Sequence, residues 1–225
     1  MKRIILGLMW LSFAGSTLAV ERMELDSRIR ALTVKFEAMQ AKPDKQIPAA
    51  DLRAARGIIL LDRTKAGFIF AFQGGGGVAL AKDPKTEKWS PAAFVRADEA
   101  SLGFQVGAQQ SFLVILLMET NATRGLTEPN YEFGGEARGT AGDDSIAEEG
   151  KVTAPEQSVL VYDDRKGLYG GAAIKGGAIS PDDEANRVYY QQFLSMNDIL
   201  FANKVRPTEA ASELAGKLTE FSKEK

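Results

Sequence analysis

Histidine and cysteine are both absent from the 225 residues of this chain. Without histidine, the usual proton-transfer group near neutral pH is gone, and so is the commonest metal ligand. Without cysteine there are no disulfides, thiolate zinc sites, iron–sulfur clusters or thiol nucleophiles. A serine nucleophile would find no histidine base, and neither a GxSxG elbow nor an SxxK motif occurs. No charge sign dominates. There are 28 Lys and Arg against 30 Asp and Glu, a net charge of −2, so no global basic field draws the chain to nucleic acid. What remains is an ordinary globular composition, 44% hydrophobic and 26% charged, long enough for one domain with a real core.

The first residues read as an address. Lys2 and Arg3 form a positive n-region, and Ile4 to Phe13 is mostly apolar. Thr17 and Ala19 put small residues where signal peptidase reads them, so cleavage is expected after Ala19. The apolar run falls far short of the roughly 20 residues of a membrane span. Cleavage leaves 206 residues with a net charge of −4, and no cysteine stands ready for a lipid anchor. The expected location is periplasmic or secreted. That compartment permits disulfides, so here stability rests on packing.

The mature chain divides into an N-terminal helix within 20–44 and a domain over 45–225 that ends in a helix. Leu25, Ile29, Leu32, Phe36 and Met39 recur at alternating steps of four and three, one apolar helical stripe over 21–41 that Pro43 ends. A short helix follows Pro48 to about Arg56, with Gly57 as its C-cap. The period then changes to two. Strands are expected at Ile58–Leu61, around Phe68, Phe70 and Phe72, at Val78–Lys82, at Leu102–Ala108, at Val159–Tyr162 and at Leu168–Ile174. Gly74 to Gly77 reads as a hairpin or bulge. Ser111 to Met118, almost wholly apolar, reads as a central strand. Nineteen of the 22 glycines lie between Gly57 and Gly177, which favours a strongly curved, barrel-like antiparallel sheet. Ser180-Pro181-Asp182-Asp183 opens a helix through Tyr190, 195–202 holds another turn or two, and a last helix after Pro207 carries Ala211, Leu214, Leu218 and Phe221, with Glu213 and Lys217 as an i, i+4 pair. The fold class is therefore α+β, a curved antiparallel sheet flanked by N- and C-terminal helices.

The chemical motifs are weak. The glycine run has no following helix and no GK[ST], so it is no phosphate cradle. Asp143, Asp144, Glu148 and Glu149 lack the spacing of an EF-hand loop and read as a solvated stretch. No metal site, cofactor or catalytic residue is expected. Lys42, Lys45, Arg53, Arg56, Arg63 and Lys65 cluster around the first strands, and Lys82, Lys85 and Lys88 fall near Trp89. Bases beside an exposed aromatic suit an anionic membrane surface; the bland alternative is a solvated face.

Lys65-Ala66-Gly67-Phe68, Gly77-Val78, Trp89-Ser90-Pro91-Ala92-Ala93-Phe94, Gly103-Phe104-Gln105-Val106-Gly107, Tyr162 to Gly171, and Asn186 with Tyr189-Tyr190 stand in the order seen in the SYLF family, which this chain resembles over roughly residues 45–205. The resemblance implies a non-enzymatic phospholipid-binding domain, as in a bacterial secreted member; fungal members also bind actin, which an exported chain would not meet. Lys65, Trp89, Lys166 and Lys175, each at or beside a strand–turn motif, are the expected headgroup contacts. The partners expected are a phospholipid membrane surface or an envelope protein, with no nucleic acid. The N-terminal helix mixes four acids with four bases on its polar side, unlike a basic membrane-seeking helix.

Overall fold

The computed structural model describes residues 11–62, 75–97, 112–128, 131–133, 158–164, 167–168 and 177–223. In chain order these form α1 (Leu11–Gln40), α2 (Ala49–Ala54), β1 (Gly57–Asp62), β2 (Gly75–Ala81), β3 (Ala93–Ala97), β4 (Phe112–Leu117), α3 (Thr120–Arg124) with a 3-10 turn (Gly125–Thr127), β5 (Tyr131–Phe133), β6 (Val159–Asp163), β7 (Gly167–Leu168), β8 (Gly177–Pro181), α4 (Asp183–Tyr190), α5 (Met196–Leu200) and α6 (Glu209–Phe221). The strands make one antiparallel sheet in the order β5-β8-β3-β2-β1-β4-β6-β7, curled but not closed. The α+β class stands.

The sheet is covered on both faces, which explains strands with no polar alternation. Ile58, Leu60, Val78, Leu80, Phe94, Val114, Leu116 and Tyr162 face one core with Leu25, Ile29, Leu32, Phe36 and Met39 of α1, Leu52 of α2, Ala185 and Tyr189 of α4, and Leu214 and Leu218 of α6. Ile59, Leu61, Ala79, Val95, Leu113, Ile115, Leu117 and Val161 face a second core with Leu126 and with Met196, Ile199 and Leu200 of α5. The run Phe112–Leu117 is buried at every position because both faces are covered. It is central as expected, paired with β1 on one side and β6 on the other.

Four local expectations are corrected. Gly57 does not cap α2: the helix ends at Ala54 and Gly57 begins β1, paired with Ala81 and Leu117. Gly75 to Gly77 are strand residues of β2, not a hairpin tip. Ser180 and Pro181 finish β8, and the α4 N-cap is Asp182, whose carboxylate accepts from the Ala185 N–H. Glu213 and Lys217 do not pair. Glu213 takes Arg30 at 2.7 Å and Lys217 takes Glu37 at 2.9 Å, because α6 packs against α1 and the interhelical partners lie closer. The helical turn α3 carries no strong periodic signal and was not expected. The expected strands around Phe68–Phe72 and Leu102–Ala108, and the acids Asp143, Asp144, Glu148 and Glu149, lie outside the described residues, as does all of Leu168–Ile174 but its first residue.

Two contacts are sharply specified. At Gly77 a Cβ would fall 2.2 Å from the Leu60 carbonyl oxygen, so β2 can approach β1 here only without a side chain. At the edge of β3, β8 stops at Pro181, opposite Val95. The next ladder position is filled by a side chain. The Phe94 N–H donates to Asn186 Oδ1 at 2.7 Å, and Asn186 Nδ2 donates back to the Phe94 carbonyl at 3.1 Å. The amide of α4 thus imitates a strand, and Asn186 is buried.

Gly77→Ala and Asn186→Leu should each lower stability by about 2 kcal/mol, the first by forcing strands apart and the second by leaving a buried N–H unpaired. Denaturant midpoints read both effects; a substitution that leaves the midpoint unmoved removes the corresponding contact from the account.

Candidate functional site at the β2–β3 hairpin

The hairpin between β2 and β3 is built from its own polar residues. Asp83 Oδ1 accepts from the Lys85 N–H at 2.9 Å and the Thr86 N–H at 2.7 Å, which tightens the turn after Ala81. These backbone donors, Thr86 first, hold the Asp83 carboxyl below its ordinary value. The Glu87 N–H closes back on the Asp83 carbonyl, with Glu87 at φ +56°. At the base, Ser90 Oγ accepts from the Ala81 N–H and donates to the Pro91 carbonyl.

Lys82 and Trp89 form an isolated bridge across that base. The Lys82 ammonium lies 4.7 Å from the Trp89 ring centroid and donates to the carbonyls of Leu52 at 3.1 Å and Arg53 at 2.8 Å. It therefore caps the C-terminal end of α2, where the helix dipole favours a cation. Burial pulls its pKa below the ordinary lysine value, and nearby Glu87 opposes this. Trp89 is half-buried against the first core. The hairpin's acids are occupied, Asp83 by its own turn and Glu87 by Arg56 at 3.0 Å. Lys85 and Lys88 are exposed and make no ion pair among the described residues. Arg53 is exposed on the neighbouring α2.

Of the four expected contacts, only Trp89 is described; Lys65, Lys166 and Lys175 lie outside the described residues. The strand ends that flank those three, Asp62, Asp163 with Gly167, and Gly177, lie at the end of the sheet opposite the hairpin, because Gly57 pairs with Ala81 while Asp62 pairs with Gly76 and Phe112. Trp89 therefore belongs to a different end of the molecule from those strand termini. The role of Lys82 was missed. A lysine closing an alternating strand carries no sign in the sequence that its ammonium turns inward to a helix end.

The other motif residues hold the fold. Tyr189 OH donates to Asp26 at 2.9 Å and meets Thr208, the N-cap of α6, which joins α4 to both long helices. Burial, the largest cause, pushes the Tyr189 hydroxyl up to about 12; Thr208 opposes it and Asp26 adds to it. Tyr190 OH donates to the Ala92 carbonyl at 2.6 Å, and Tyr162 OH donates to Asp51 at 2.5 Å. The apolar stripe of α1 is taken up by the core, so it offers no membrane-facing side. Among the described residues no helix is long and apolar enough to cross a membrane, and no cluster of three acids could hold a metal ion.

A family profile described as Ysc84, Las17-binding protein actin regulator, matches residues 98–221. The SH3 domain-containing YSC84-like protein 1 of Bos taurus is 33% identical over 170 residues, 75% of this chain and 50% of that protein. The human protein of the same name is 32% identical over 170 residues, 75% and 49% of the two chains. The LAS seventeen-binding protein 3 of Saccharomyces cerevisiae is 30% identical over 175 residues, 76% and 38%. The chain spans half or less of the length of these relatives.

Lys82→Met removes two charge-assisted hydrogen bonds and should cost about 2 kcal/mol. It should also red-shift the Trp89 emission as the ring gains water. Unchanged emission together with unchanged stability would mean that Lys82 does not organise the hairpin.

Proposed function

This chain belongs to the Ysc84 family, and from that premise we propose that it is a non-enzymatic module that binds the surface of anionic phospholipid membranes. The supporting observation is the β2–β3 hairpin. Its carboxylates are engaged within the protein, while Lys85 and Lys88 project beside a half-buried Trp89. Each base near an anionic surface contributes on the order of 1 kcal/mol, so Lys85, Lys88 and one or two neighbours such as Arg53 suffice for weak, salt-sensitive adsorption. The signal-peptide-like N-terminus supports an exported protein acting at an envelope membrane. Lys65, Lys166 and Lys175, which lie outside the described residues, remain proposed headgroup contacts.

A second reading is a protein-binding scaffold without lipid contact. What favours it is that the family description and the yeast relative are both named for binding Las17.

Sedimentation with phosphatidylglycerol vesicles and with phosphatidylcholine vesicles separates the two. The lipid reading expects binding to the former alone, weakened by salt. Lys85→Glu with Lys88→Glu should then lower affinity on the order of thirtyfold, since at least two favourable contributions are lost. Lys65→Glu with Lys166→Glu tests those two expected contacts in the same way. A wild-type chain that ignores both vesicles, and that crosslinks to an envelope protein instead, favours the scaffold.

A further inference from the structure

Three large apolar side chains are exposed among the described residues: Phe193 at 89%, Met23 at 70% and Val34 at 63%. Phe193 stands alone in the turn between α4 and α5, but Met23 and Val34 share a face of α1. Opposite the buried stripe, Met23, Ser27, Ala31, Val34, Ala38 and Ala41 follow at steps of four, four, three, four and three, and all six are exposed. A surface helix normally carries its charges on that side. In α1 the charges stand on the flanks, and most are drawn away. Arg30 turns to Glu213 and Glu209, Glu37 meets Lys217, and Lys35 meets Asp62. The outermost line of the helix is left without a charge from Met23 to Ala41.

Two flanking charges do not turn away. Glu24 and Lys42 are exposed and make no ion pair among the described residues, and Asp44, the acid nearest Lys42 in the chain, is taken by Lys45 at 3.1 Å. The Ala41 N–H still donates to the Glu37 carbonyl and the Lys42 N–H to the Met39 carbonyl, so the helical path carries on to Lys42. Glu24 and Lys42 are 18 positions apart, five whole turns. They therefore stand on the same flank of the uncharged line, about 27 Å from each other. Opposite charges at the two ends of one flank are self-complementary in one arrangement. A two-fold axis that crosses the helix midway between them lays a second α1 antiparallel on the first. It preserves the flank and reverses the ends, so each Glu24 meets the other copy's Lys42. A parallel pair would exchange the flanks and bring the two charges nowhere near each other. In the antiparallel register Val34 comes against Ala31 and Ser27 against Ala38, so the branched side chain meets a small one and the helices can approach closely.

We propose that the outer face of α1 docks a second copy of this chain, antiparallel about a two-fold axis, with Glu24 and Lys42 as the reciprocal charges. A membrane suits this face poorly. An interfacial helix sets large aromatic or leucine side chains between bases, whereas this face sets alanines beside Glu24. A face about 27 Å long and one helix wide is small for a protein interface, so the dimer depends on concentration.

Sedimentation equilibrium of the full chain over a concentration series should show a reversible dimer. Val34→Glu should weaken it about a hundredfold, since both copies lose the contact, while the unfolding midpoint of the dilute chain stays put. Glu24→Lys should weaken it about tenfold, and Glu24→Lys combined with Lys42→Glu should restore it. The absence of cysteine lets the orientation be read directly. Chains carrying Glu24→Cys and chains carrying Lys42→Cys, mixed under mild oxidation, should form a disulfide-linked dimer that neither forms alone. A chain that stays monomeric throughout the series overturns the proposal, as does a dimer that Val34→Glu leaves intact. A disulfide between two Glu24→Cys chains would mean a parallel pair and would overturn it too.

Discussion

The constraint on which the structure depends is that β1 and β4 are apolar on both faces. Neither can lie open to water on either side, so the antiparallel sheet needs helices above and below it. α1, α2, α4 and α6 close one face and α5, with the turn at Leu126, contributes to the other. Burying side chains such as Ile58, Leu60, Val114 and Leu116 contributes on the order of 2 kcal/mol each, and this burial holds together a chain that has no cysteine to crosslink it. The sheet also sets what the helices cannot do. α1 has the apolar stripe from Leu25 to Met39 in the core, so that stripe is not available to a membrane.

Polar contacts then fix how the layers sit. Asn186 completes the β3 ladder where β8 leaves it, Tyr189 ties α4 to α1 and to the cap of α6, and Lys82 closes the end of α2. The described residues hold no buried polar side-chain atom without a partner. This changes what the recurring residues mean. Those that stand out as motifs in the sequence, Asn186 with Tyr189 and Tyr190 and the Trp89-Ser90-Pro91 segment, are joints of the scaffold. The surface groups proposed to meet a membrane are plainer ones, Lys85 and Lys88, displayed by the hairpin those joints hold.

The sequence by itself determined the elements whose signal is local. The stripe from Leu25 to Met39 and the helix carrying Leu214 and Leu218 follow from periodicity, since side-chain direction repeats with the backbone, and the strand Phe112–Leu117 follows from a short, unbroken apolar run. The absence of histidine and cysteine likewise removed whole classes of chemistry without reference to any fold. Tertiary structure decided everything that depends on residues distant along the chain. Glycines at 75–77 form a strand because β1 and β3 pair on either side, and Gly77 is needed there because the Leu60 carbonyl leaves no room for a Cβ. Glu213 and Lys217 turn from each other toward Arg30 and Glu37 because another helix is nearer than their own next turn. Lys82 points inward and Phe193 outward for the same reason: a side chain's direction at a turn is set by what packs beside it, and no spacing in the sequence records that neighbour.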